Sequence, residues 1–165
     1  IKSKKKIPVY CDLYTKNYLL KNFKYCFKNT ISYPAILKLN IIKKNNYFVD
    51  KNTNLNIKSI KVGHGKVNCN AYIINNKCAY LSDVNMIYEK DYKHFTNLKY
   101  FVIDCLRFKK HPSHFNLDEV LELIRILKPK KSILTNLHVD LDYNKLKKIL
   151  PKSVLPAYDG MNFNL

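Results

Sequence analysis

Apolar positions in this chain come in short runs broken by polar turns, and the periodicity changes along its length. Ile7-Pro8-Val9-Tyr10 reads as a short strand, and Asp12 is placed to cap a helix running to about Phe23. Tyr33-Pro34 interrupts the next segment, and residues 36–42 have the content of a strand. Residues 43–56 are rich in Asn and Lys, which predicts a turn or hairpin tip. From 56 to 83 the β pattern is strong, with strands near 57–62, 69–74 and 78–82. Asn75-Asn76 forms a two-residue turn between the last two.

Beyond Asp83 the chain changes to alternating strand and helix. A short helix is expected around 88–96, and Tyr100-Phe101-Val102-Ile103 is the continuous apolar run of a strand covered on both faces. Asn116-Leu117-Asp118-Glu119 is a capping box opening a helix whose apolar stripe is Val120, Leu121, Ile124 and Leu127. Pro129 ends that helix, and 132–135 reads as another buried strand. Asp142 caps a last helix that Pro151 stops, and short strands are expected near 154–155 and 161–163. Antiparallel hairpins followed by strand–helix–strand predict a single mixed α/β (α+β) domain over 1–165.

Composition refines this outline. With 165 residues, 47% of them hydrophobic, the chain is long enough to bury a core, and no apolar run approaches the ~20 residues that span a bilayer. The formal charge of +18 suits an anionic partner. Yet among the 30 basic residues only Arg107 and Arg125 are arginine, the side chain that phosphate- and base-reading surfaces favour. Abundant Lys, Asn, Ile and Tyr with only 3 Gly also fit compositional drift alone. The five cysteines contain no C-x-x-C pair, which argues against a thiolate zinc site. No secretory segment follows the basic start, so a cytoplasmic location is the expectation.

The candidate chemistry lies where apolar runs stop. Val62-Gly63-His64-Gly65, Ala79-Tyr80-Leu81-Ser82-Asp83 and Ile133-Leu134-Thr135-Asn136-Leu137-His138 each end at a histidine or aspartate, and His111-Pro112-Ser113-His114 lies between the second and third. A rigid strand leading into a loop can hold a ligand or catalytic group with little drift. Each residue also has a structural alternative. His64 suits a turn between two glycines, Asp83 a helix cap, and His114 a packing position before the capped helix.

In this order and spacing, these segments resemble the metallo-β-lactamase fold superfamily of hydrolases, in particular its phosphoribosyl cyclic-phosphate phosphodiesterases. The likeness rests also on Lys24-Tyr25-Cys26-Phe27, Tyr33-Pro34-Ala35-Ile36, Asp104-Cys105-Leu106-Arg107, the stretch 134–143 and Pro156-Ala157-Tyr158-Asp159-Gly160-Met161. The resemblance implies an αββα sandwich with two divalent metal ions, zinc or manganese, at one edge. It implies that His64 ligates one ion, that Asp83 bridges both, and that His114 acts on the substrate as an acid or phosphate contact.

Many members of the family carry their last ligand histidine where this chain has Asn136. Either His138 reaches the metal from two residues on or that ligand is lost; alternation past a strand end places 136 and 138 on one side, so His138 is the expected ligand. The superfamily's His-x-His-x-Asp-His cluster is not present in these residues, and the expectation is a C-terminal portion of the fold whose N-terminal part is missing. The implied activity is hydrolysis of a small or cyclic anionic phosphodiester, with a homodimer admitted and no membrane partner. The alternatives are an RNA-processing nuclease of the same fold, or a non-catalytic basic module that binds nucleic acid or is a decayed fragment. Nucleic acid is the less favoured partner.

Overall fold

A computed structural model describes residues 5–31, 33–42 and 47–165. The chain forms two compact units, divided between Phe48 and Val49. In the first, strand β1 (Ile7–Cys11) leads into helix α1 (Leu13–Asn22), a short helix α2 (Lys24–Phe27) and strand β2 (Leu37–Ile41). The Asp12 carboxylate accepts from the Thr15 amide at 2.8 Å and opens α1 as the sequence predicts. β1 and β2 pair in parallel, Ile7 opposite Leu37.

The second unit is built on a mixed sheet. Its strands are β4 (Leu55–His64), β5 (Val67–Ile74), β6 (Cys78–Leu81), β7 (Tyr100–Asp104), β8 (Lys131–Thr135) and β9 (Val154–Pro156), with β3 (Tyr47–Asp50) at the edge beside β4. β4, β5 and β6 are antiparallel, and β6 through β9 run parallel. Asn75 and Asn76 have φ of 51° and 53°, the left-handed pair of a turn closed by the Lys77 amide on the Ile74 carbonyl, with 75–77 between the paired Ile74 and Cys78. β3 falls in the stretch expected to be a turn. Residues 43–46 of that stretch lie outside those described.

Helix α3 (Leu117–Leu127) has the reciprocal Asn116–Glu119 capping box and buries Leu117, Val120, Leu123 and Leu127. Helix α4 (Tyr143–Ile149) is capped by Asp142 through the Lys145 amide. The segment after Asp83 forms a 3-10 helix over Glu89–His94 rather than an α-helix. The main core gathers Phe95, Phe101, Ile103, Leu134, Leu146 and Val120, all buried, on one side of the sheet. On the other side Cys78, Val102 and Ile133 are covered by Met161 and Leu165. This explains why 161–163 forms no strand: its apolar residues pack flat on the sheet, with Phe163 against Tyr100 at 4.4 Å between ring centres. Among the described residues no helix is long and apolar enough to cross a membrane.

Four parallel strands have one consequence for function. The loops leaving β6, β7, β8 and β9 all emerge at the same edge, where the residues singled out from the sequence lie.

Candidate metal centre

His64 is the last residue of β4, at a hairpin whose register pairs it with Val67. The next residue, Gly65, has φ of +60°, and a Cβ there would lie 3.0 Å from the Ser113 Cβ. Glycine therefore both turns the hairpin and lets the 111–114 loop approach His64. Asn85 ties the same parts together. Its side chain accepts from the Gly65 amide and donates to the Pro112 carbonyl, each at 3.0 Å. Gly65→Ala should lower stability by about 1–2 kcal/mol, the cost of a left-handed β-carbon, and push the loop outward. Chemical denaturation reads the first effect and loss of NMR contacts between His64 and His114 the second.

Asp83 follows β6 by two residues and is exposed, its carboxylate accepting from the Ser82 hydroxyl at 3.2 Å. His114 reaches the same place from the loop before α3. One ligand atom from each of His64, Asp83 and His114 lies within 4.8 Å of the others. The Nε2 atoms of the two imidazoles stand 3.3 Å apart, their rings edge to face.

His114 is fixed from behind by Asp104, which ends β7 and is fully buried. The His114 Nδ1 lies 2.6 Å from Asp104 Oδ2, so Nδ1–H donates to the carboxylate and Nε2 keeps its lone pair toward His64. The same carboxylate accepts from the Val84 amide at 3.2 Å and from the Asn136 side chain at 3.1 Å. Burial holds the Asp104 carboxyl above the usual carboxylate range, against the opposing hydrogen bonds from His114, Val84 and Asn136. Asn136 also contacts the Ser82 carbonyl at 3.4 Å, which links the ends of β6 and β8 through one side chain.

His138 is not part of this group. The reason lies in the backbone of Asn136, whose φ of 60° ends the strand's alternation at once. The chain turns so that the His138 amide donates to the Leu106 carbonyl, and its half-exposed ring lies 3.3 Å from Asp140. Asn136, not His138, stands at the inner position. His111 packs beside His114 with ring centres 5.1 Å apart. Burial, then the neighbouring Arg107 and His114, hold its pKa below the usual imidazole range.

The donor set fits a divalent transition metal. Two imidazole nitrogens bound at 2.0–2.1 Å to one tetrahedral zinc stand about 3.3–3.4 Å apart, the separation seen between His64 and His114. A ligand histidine usually donates its other N–H to a carboxylate, as His114 does to Asp104. Three donors complete one open coordination sphere, and a second ion needs ligands beyond these.

A mixed sheet with a His–Asp–His group at the ends of its parallel strands defines a metallohydrolase-like α+β fold. A family model described as a beta-lactamase superfamily domain matches residues 1–136, and the chain belongs to that family. A diphosphatase from the PhnP family superposes with a TM-score of 0.83 at 24% identity, over 95% of this chain and 57% of its own. Zn(2+)-bound PqqB from Methylobacterium extorquens superposes at 0.74 with 10% identity, over 98% of this chain and 66% of its own. Both establish the metallo-β-lactamase fold. An octanoyltransferase of Porphyromonas gingivalis is 26% identical over 161 residues, which are 95% of this chain and 32% of that protein. The chain thus spans about a third of that curated relative.

Proposed function

We propose that this chain carries part of the centre of a metal-dependent phosphodiesterase acting on a small or cyclic phosphodiester. The observation that supports this best is the meeting of His64, Asp83 and His114 within 4.8 Å at the edge where four parallel strands end. A bound divalent metal, zinc or manganese, supplies Lewis acidity toward the phosphate and acidifies bound water. His64 and Asp83 would hold it, the imidazole as a neutral donor and the carboxylate as the anionic one. Asp104 keeps the Nε2 of His114 free of a proton and aimed at the same space. From there His114 serves either as a further ligand or as the group that exchanges a proton with the substrate oxygen. The lysine-rich surface draws in the anionic ester.

The full-length protein should hydrolyse bis-p-nitrophenyl phosphate, lose activity to a chelator and recover it with Zn²⁺ or Mn²⁺. His64→Ala should lose both metal and turnover. His114→Ala separates its two roles, because a ligand loses metal while a proton-transfer group loses turnover with metal content kept. Hydrolysis that persists undiminished after exhaustive chelation would overturn the proposal.

A further inference from the structure

One imidazole beside the site has no part in the chemistry just described. His111 stacks obliquely against His114 at 5.1 Å and 45°, and His114 lies 4.7 Å from His64, so three rings stand in an unbroken row. The Ser113 amide donates to His111 Nδ1 at 3.3 Å. A ring nitrogen that accepts carries no proton, so the neutral ring holds its proton on Nε2. His114 is set the opposite way, with its proton on Nδ1 and directed to Asp104. The two neighbouring rings therefore offer complementary Nε2 atoms, a lone pair on one and an N–H on the other.

The loop that carries His111 is braced on both sides. Arg107 donates from Nε to the Lys109 carbonyl at 3.2 Å and from Nη2 to the Lys110 carbonyl at 2.8 Å. The Pro112 carbonyl is held by Asn85. These bonds also turn the guanidinium of Arg107 toward its own loop. The Asn136 amide, 3.5 Å from His114 Nδ1, is engaged with Asp104 and the Ser82 carbonyl, which leaves the His111 imidazole as a further N–H donor beside His114.

We propose that His111 is a catalytic residue of this site, whose Nε2–H donates to a non-bridging oxygen of the bound phosphodiester. This rests on the phosphodiesterase reading above. A phosphoryl group spreads negative charge over its non-bridging oxygens as it transfers. A neutral N–H donor on a ring already held beside that charge stabilises it with little reorganisation at the moment of reaction.

The test uses the full-length, metal-loaded protein. His111→Ala should lower kcat for bis-p-nitrophenyl phosphate about 10²-fold, the usual effect of losing one oriented donor, with metal content unchanged. His111→Gln places an amide N–H near the position of Nε2 and should recover most of that loss, which a purely structural role for the ring would not predict. Nitrogen-15 shifts of the wild-type imidazoles should show His111 protonated on Nε2, and inorganic phosphate should bind about 10-fold more weakly to His111→Ala. Turnover within threefold of wild type in His111→Ala, or a His111 proton on Nδ1, would overturn the assignment. If the wild type hydrolyses no phosphodiester, the functional reading fails by itself. Phosphate affinity and the tautomer then still decide whether His111 is an anion donor.

Discussion

Asp104→Asn should cut turnover of the full-length protein by about 10²- to 10⁴-fold while the fold stays intact. The carboxylate is buried and accepts from three donors: His114 Nδ1–H, the Val84 amide and the Asn136 side chain. An asparagine has one acceptor oxygen and an NH₂ in place of the second. Whichever way it turns, it presents an N–H either to His114 or to Asn136. Facing His114, it drives the ring proton from Nδ1 to Nε2, where it points at His64 and blocks the lone pair the site uses. Two effects on stability oppose each other, since the NH₂ that faces His114 also faces the Val84 amide and leaves that buried N–H without its acceptor, at about 1–3 kcal/mol. A carboxyl whose pKa is raised in the fold contributes stability that is present below its unfolded value and lost as pH rises through the folded one. Asparagine removes that loss. A melt near that of wild type, together with nitrogen-15 shifts placing the His114 proton on Nε2, would show that the tautomer was the cause. Turnover close to wild type would mean that Asp104 holds the loop without setting the chemistry of His114.

Much of this architecture could be read from local pattern because local chemistry decides it. The apolar run 100–103 is strand β7, and Asn75-Asn76 turns where two asparagines tolerate positive φ. The Asn116 box and the Asp142 cap open α3 and α4 where the side chains lie. What the sequence did not disclose depends on distant partners. Residues 161–163 have strand-like content but lie across the second face of the sheet, over buried Cys78, Val102 and Ile133. His138 follows from a single torsion at Asn136, which alternation cannot foresee. Asp104 stood in a quoted motif without a role, although an aspartate ending a fully apolar run had to find partners. His111 stands in the quoted His-Pro-Ser-His stretch without a role of its own. Its ring packs beside His114 and takes the Ser113 amide on Nδ1, an arrangement that only the folded loop shows. Asn85, the clamp between hairpin and loop, carries no signal in its own neighbourhood.

Asp83→Ala should abolish metal retention and turnover together, with turnover at least about 10³-fold down. Asp83 is exposed, and its one described side-chain bond is from the Ser82 hydroxyl, so its removal opens no cavity. Stability should stay within about 0.5 kcal/mol of wild type, as for other surface substitutions. What disappears is charge. Without it, this part of the site offers a divalent ion two neutral imidazoles and no anion to offset the ion's own field. Asp83→Asn makes the same point at constant shape, because an amide oxygen is a poor ligand for zinc and carries no charge. If either variant keeps its metal and its turnover, the carboxylate is not a ligand. The meeting of His64, Asp83 and His114 would then be a polar strand-end cluster, and the basic, non-catalytic alternative would take precedence. That alternative has its own mark, an affinity for nucleic acid that falls steeply with salt and is indifferent to chelation.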